Sequence, residues 1–399
     1  MLEIVFLTIS ATAACVSAGH VLLHKRDPRA ALVWVIICFS FPLIGPLIYW
    51  LLGVNRIRTR ARDWQAQIRE KRKKETSFCS WSSHQRQAAA FQHENYASLL
   101  ALVDTVTRRP LLAGNRVTVL HNGEEAYPAM LRAIAVAKQS IYLSSYLFCT
   151  DTSGRAFAAA LKKAAKRGLD VRVLIDGLGE RYSMPTARHL FRNSRVQYAR
   201  FLPPFLSGRG LHFNLRNHRK LLIVDGESGF TGGMNIGDRH LVGLPGKHTL
   251  DIHFGVEGPV VGQMLEAFME DWHFVTGDVF PAIGQVPPSL GGEAFCRGIS
   301  AGPNEDFEKL RWIYLGAINC ARHKIRLMTP YFVPDRTLME ALTAASLRGV
   351  EVNLALPARS NLPYVDWASR AHFSELLENK IHLFLQPLPF IHGKLLPPL

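Results

Sequence analysis

Residues 216–226 read Arg-Asn-His-Arg-Lys-Leu-Leu-Ile-Val-Asp-Gly, and residues 390–396 read Phe-Ile-His-Gly-Lys-Leu-Leu. In both stretches a histidine and a lysine stand two apart and a Leu-Leu pair follows. Side chains alternate along a strand, so His218 and Lys220 share one face and Arg219 faces away. His392 and Lys394 repeat the spacing. Leu221 to Val224 carries the first stretch into a core, and Asp225-Gly226 signals a turn. A return strand starts at Gly229, where Gly233 allows close approach and Asn235 can donate a hydrogen bond. One His beside a Lys is ordinarily a surface pair. Its recurrence at the same place in two related segments points to chemistry.

The surrounding sequence is also duplicated. Residues 133–148 (Ala-Ile-Ala-Val-Ala-Lys-Gln-Ser-Ile-Tyr-Leu-Ser-Ser-Tyr-Leu-Phe) parallel residues 317–332 (Ala-Ile-Asn-Cys-Ala-Arg-His-Lys-Ile-Arg-Leu-Met-Thr-Pro-Tyr-Phe). Each reads as a helix and then a strand. An amphipathic helix follows, over 155–167 or 338–347, and stops at Gly168 or Gly349. A second apolar strand comes next, at 170–176 or 351–357. Strand, helix, strand implies an α/β fold with βαβ units covered by helices. The expected domains are residues 111–280 and 293–399, with the Pro- and Gly-rich stretch 281–292 between them.

The N-terminus has a different character. Between Leu2 and Leu23 the only charged residue is Glu3, and between Ala30 and Val54 there is none. A helix needs about 20 residues to cross the hydrocarbon of a bilayer. Residues 1–54 are therefore expected to form a transmembrane hairpin, with helices at about 2–23 and 31–52, the second kinked by Pro42 and Pro46. Residues 55–110 read as a basic juxtamembrane linker. Nine Lys or Arg fall within 55–74, against three (Lys25, Arg26, Arg29) in the connecting loop. Cationic residues concentrate on the cytoplasmic side, which places both termini in the cytoplasm and the linker against anionic head groups. The net charge of +15 over 399 residues also favours an anionic partner. The six cysteines form no C-x-x-C pair, which argues against a zinc or redox site and for free thiols.

With these residues in view, His218-x-Lys220-x4-Asp225 followed by Gly232-Gly233-x-Asn235 resembles the signature of the phospholipase D superfamily. Residues 329–335, Thr-Pro-Tyr-Phe-Val-Pro-Asp, and the two-helix N-terminus are similar to those of its bacterial cardiolipin synthases. The resemblance covers about residues 5–396. It implies tandem phospholipase D-like domains related by a pseudo-twofold axis, with one active site between them. It also implies a multi-pass protein of the bacterial inner membrane with a cytoplasmic catalytic domain, acting on phosphatidylglycerol among anionic lipids. By the same resemblance His218, Lys220, Asp225, His392 and Lys394 are catalytic, and Gly233 and Asn235 bind substrate. One histidine would form a phosphohistidine while the other acts as acid and base, and the lysines would neutralise phosphate oxygens. No cofactor, metal or nucleic acid is expected.

The second motif departs from the pattern. Seven residues after His392 stands Leu399, where Asp is expected, after Leu396-Pro-Pro. The second domain is accordingly expected to be incomplete, His392 to lose the acid of its own motif, and activity to be reduced. Rival expectations are a hydrolase or nuclease, in which water attacks the intermediate, and an inactive membrane-bound remnant.

Overall fold

The computed structural model describes residues 1–25, 28–54, 96–107, 109–203, 216–246, 248–278, 291–300 and 308–396. The chain divides into two units, residues 1–69 and 70–399. The basic run 55–74, most of the junction 281–292 and the last three residues lie outside the described residues.

In the first unit helix α1 (Leu2–His24) forms as expected. Its residues Glu3–His24 make the one helix, among the described residues, long and apolar enough to cross a membrane. The second apolar run is not one helix. It folds as α2 (Pro28–Ser40), α3 (Ile44–Ile48) and a π-turn at Tyr49–Gly53. Thirteen residues in α2 rise only about 20 Å, short of the roughly 30 Å hydrocarbon core. The break follows from Pro42, which lacks an N–H, and from Leu43, which takes φ 60°. Gly45 permits the close return, since a Cβ there would lie 2.1 Å from the carbonyl oxygen of Ile37. The unit turns its polar groups inward. His20 Nδ1 is 2.7 Å from the Tyr49 hydroxyl, Trp50 Nε1 donates to Ser17 Oγ at 3.0 Å, and Ile4, Phe6, Leu7, Ile36 and Phe39 face outward.

The second unit starts with α4 (Ala97–Thr107), within the expected linker, and then runs β1 (Leu112–Gly114), β2 (Arg116–His121), α5 (Asn122–Val136), β3 (Ser140–Ser145) and α6 (Thr152–Lys166). It continues through β4 (Asp170–Asp176), α7 (Ala187–Phe191), β5 (Gln197–Phe201), β6 (Leu221–Val224), β7 (Ser228–Gly232), β8 (Thr249–Leu250), β9 (Ile252–Glu257) and α8 (Val260–Thr276). The last part is β10 (Gly292–Cys296), α9 (Glu308–Cys320), β11 (Lys324–Met328), α10 (Arg336–Leu347), β12 (Glu351–Pro357), α11 (Pro363–Arg370), α12 (Phe373–Glu378), β13 (His382–Gln386) and β14 (Phe390–Ile391).

Seven strands form one mixed sheet in the order β2-β9-β7-β6-β3-β4-β5. Alternation decides its two faces. Ile141, Leu143, Val171, Val173, Leu222 and Val224 pack on α5 and α6, while Tyr142, Leu174, Leu221 and Ile223 pack on α8. A second sheet, β11-β12-β13, is parallel and carries its own core, with Ile325, Val352 and Leu354 against Met339 and Leu342.

Local devices recur between the two sheets. Asp151 caps α6 and Asp335 caps α10, and each helix ends at a glycine with positive φ, Gly168 or Gly349. Arg167 donates to the Ile134 carbonyl at the end of α5, and Arg348 to the Ile318 carbonyl in α9. Leu221 pairs with Ser144 at the end of β3, and Leu395 bridges to Met328 at the end of β11. The domain edges are more entangled than expected. β10 pairs with β1, and α4 packs on α9, where a Cβ on Gly316 would meet Leu102 Cδ2 at 2.3 Å.

Candidate active site

The stretch leading into β6 is held by buried carboxylates. Asp176, at the end of β4, accepts from the backbone N–H groups of Leu178, Gly179 and Asn217 at 2.9–3.0 Å. Burial pushes its carboxyl up, against the pull of those N–H groups and Arg216. On α8, Asp271 accepts from Asn217 Nδ2 at 2.8 Å and pairs with Arg219 Nη1 at 2.6 Å. Residues 218–220 precede β6 rather than belonging to it, yet the alternation persists: Arg219 turns to Asp271, and His218 and Lys220 both lie against Tyr146.

The second stretch is brought to the same place. β14 pairs in parallel with β8, and His392 N donates to the Leu250 carbonyl at 2.8 Å. His392 Nδ1 lies 2.9 Å from Asp251 Oδ2, whose side chain is fully buried. The other ring nitrogen, Nε2, faces Lys394 Nζ at 3.0 Å. Each lysine turns back on the carbonyl of its own histidine: Lys220 Nζ donates to His218 O at 2.7 Å, and Lys394 Nζ to His392 O at 3.1 Å.

The charges of the two stretches act on one another. Burial and then Lys394 push Lys220 down to about 7, opposed by Asp251 and Asp176. Burial likewise lowers Lys394. His218 keeps an open face to solvent, yet desolvation at its base, then Lys220, Lys394, His392 and Arg216, hold it well below the usual histidine value. Each of these causes favours the neutral imidazole. Asp251 sits below the usual carboxylate value: burial pulls the other way, and His392, His240 and the Ile252 N–H outweigh it. Two desolvated lysines, one of them lowered further by the other, make the cleft favourable to an anion.

Three expected site residues stand elsewhere or act differently. Asp225 is five residues beyond Lys220 at the far end of β6, roughly 16 Å along an extended chain. Its carboxylate accepts the backbone N–H groups of Lys138, Gln139 and Ser140 at 2.7–2.9 Å. It fastens the turn to the start of β3 and has no part in the cleft. Gly233 makes room for a carboxylate, since a Cβ there would lie 2.1 Å from Asp251 Oδ1. Asn235 is buried, with Oδ1 accepting from Leu147 N at 3.0 Å and its carbonyl from the Tyr127 hydroxyl at 2.8 Å, which makes it a strut beneath the loop. His392 has a carboxylate partner of another kind in Asp251, more than a hundred residues away in sequence, while the place of its own motif's acid, residue 399, lies outside the described residues. The one trace of Asp251 in the sequence is an acidic residue inside the strand-forming run Thr-Leu-Asp-Ile-His, 249–253.

This arrangement, a pair of His-Lys segments meeting on an α/β scaffold, belongs to the phospholipase D-like class. The family model "Cardiolipin synthase, PLD-like domain" matches residues 130–272 and 314–396, and "Phospholipase_D-nuclease N-terminal" matches residues 7–53. The chain is 33% identical to cardiolipin synthase A of Pseudomonas aeruginosa over 390 residues, covering 95% of this chain and 77% of that protein. It is 31% identical to the cardiolipin synthase of a Geobacillus species over 388 residues, covering 94% of this chain and 75% of that protein. The major cardiolipin synthase of Bacillus subtilis is 30% identical, with coverages of 93% and 78%. Among solved structures the fold is shared with phosphatidylserine synthase of Haemophilus influenzae (TM-score 0.55, 15% identity, covering 74% of this chain and 80% of that one). The chain belongs to the cardiolipin synthase family of phospholipase D-like proteins. By family it is a phosphatidyltransferase-type enzyme of phospholipid biosynthesis.

Proposed function

We propose that this protein joins two phosphatidylglycerols into cardiolipin and releases glycerol, through a phosphohistidine on His218. The observation that carries the reading is the meeting of the two His-Lys stretches, the charges of His392 and Lys394 acting on His218 and Lys220, with His392 bonded to Asp251 between β8 and β9. The neutral ring of His218 attacks phosphorus, and the bond from phosphorus to the glycerol oxygen breaks. His392 gives the leaving oxygen a proton, and Asp251 stabilises the imidazolium from which it comes. His392 then takes the proton from a hydroxyl of the second phosphatidylglycerol, whose oxygen attacks phosphorus and frees His218. Lys220 and Lys394 neutralise the phosphate oxygens throughout.

Two further readings accompany this one. The two sheets are copies related by a pseudo-twofold, supported by matched caps, matched Arg-to-carbonyl bonds and matched Leu221 and Leu395 registers. The apolar N-terminal unit anchors the enzyme in a bacterial inner membrane with the catalytic unit in the cytoplasm, supported by the charge bias of 55–74. The experiment is an incubation of the detergent-solubilised full chain with labelled phosphatidylglycerol. Cardiolipin and glycerol in equal amounts are expected. Phosphatidic acid in place of cardiolipin would make water the acceptor and overturn the transfer.

A further inference from the structure

His218 and His392 are held in different ways. His392 has a carboxylate at 2.9 Å, whereas the ring of His218 has no hydrogen-bonding partner among the described residues. What lies against it is an aromatic plane. The Tyr146 and His218 rings are stacked, with centroids 4.2 Å apart and planes 18° apart. The same tyrosine ring lies 5.6 Å from Lys220 Nζ. After β11 the residue aligned with Tyr146 is Pro330, and its neighbour Tyr331 meets His392 only edge-on, at 5.9 Å and 69°.

Tyr146 is itself fixed from behind. It follows β3, and the register that sets Ser144 opposite Leu221 carries it level with the residues just before β6. Its carbonyl is packed on Gly179, where a Cβ would stand 1.9 Å from the oxygen. Tyr182 leans on its other side, with ring centroids 6.5 Å apart.

We propose that Tyr146 is the positioning residue of His218, its ring orienting the imidazole and walling one face of it from water, as Asp251 orients His392. The inference rests on His218 being the nucleophile. Stacking covers a ring face and leaves the nitrogen edge open to an incoming phosphorus. It also holds Lys220 beside the histidine it serves. The groups that face His218 are Arg216 and Lys220 of its own stretch, His392 and Lys394 of the last stretch, and Tyr146 with Tyr182 behind it. All the charged ones are cationic, so access of water to the ring governs how easily it takes a proton.

The test compares Tyr146→Phe with Tyr146→Leu in the full-length detergent-solubilised protein. Tyr146→Phe keeps the plane and is expected to stay within about threefold of the parent kcat. Tyr146→Leu is expected to lower kcat about tenfold to a hundredfold, the usual cost of a misplaced reacting group, with KM little changed. A second readout needs no turnover: ethoxycarbonylation of His218 by diethyl pyrocarbonate against pH, followed by mass spectrometry. Tyr146→Leu should move the midpoint upward toward the ordinary histidine value. A midpoint and kcat both unchanged in Tyr146→Leu would overturn the proposal, and so would an equal loss in Tyr146→Phe. If the parent makes no cardiolipin, the substrate reading fails while the modification profile still decides the role of Tyr146. If Tyr146→Leu does not fold, Tyr146→Trp replaces it: retention of the low midpoint supports the aromatic wall, and its loss refutes it.

Discussion

Asp251 has the clearest energetic position of any residue in the cleft. Its carboxylate is fully buried, bonded to His392 and seated on Gly233. Replacing it by Asn keeps the shape and removes the charge that favours the His392 imidazolium. Asp251→Asn is expected to lower kcat by about a hundredfold or more with a smaller change in KM, by analogy with the loss when a buried carboxylate partner of a catalytic histidine is neutralised. Steady-state kinetics on cardiolipin formation measure this, and kcat within about threefold of the parent would remove Asp251 from the chemistry. Asp225 makes the contrasting case. Its three backbone bonds tie the β6 turn to β3, so Asp225→Ala should lower unfolding free energy by about 1–3 kcal/mol while folded molecules keep their activity. Denaturant melts with activity per folded molecule separate the two effects. The motif in the sequence groups Asp225 with His218 and Lys220, but a strand lies between them. Spacing shows which residues travel together, and only pairing shows where each one ends.

At the scale of elements, much of the framework is written in the sequence. The period-2 apolar runs at 170–176 and 351–357 became β4 and β12, and the glycines at 168 and 349 ended α6 and α10. These are local signals, and local physics is enough to read them. Two elements were not legible. The run 30–54 has the composition of one spanning helix, yet it breaks at Phe41–Leu43 because Pro42 and the positive φ of Leu43 act together. Residues 97–107 read as linker, but form α4 because α9 supplies a surface for Leu99 and Leu102. The break is expected to matter. Gly45→Ala would place a methyl against the Ile37 carbonyl, so the variant should lose thermal stability in detergent, and Tyr49 and Trp50 should become more accessible to quenchers. Unchanged fluorescence quenching would show that the return of α3 on α2 is not held by that contact.

For the whole molecule, the cleft sets a pH dependence. His240 and His253 are almost wholly buried near Asp251. Burial, first among the causes, pushes them down to about 3 and about 4. An unfolded histidine titrates near 6.5, so between those values the unfolded chain binds more protons than the folded one. The stabilisation is present above about pH 6.5 and is lost as pH falls toward 4 and then 3. The unfolding midpoint of the full chain should therefore drop steadily from pH 7 to pH 4.5, less steeply in His240→Asn/His253→Asn. An equal slope in the double variant would assign the acid sensitivity elsewhere. The central claim is that both His-Lys stretches serve one phosphate. Its most direct measurement is the site of the covalent adduct. The full chain is quenched during turnover of labelled phosphatidylglycerol and digested at alkaline pH, where phosphohistidine survives, and the peptides are sequenced by mass spectrometry. The adduct should lie on His218 in the parent, form far more slowly in His392→Asn, and vanish in His218→Asn. An adduct on His392, or one that forms on His218 at the parent rate when His392 is replaced, would contradict it.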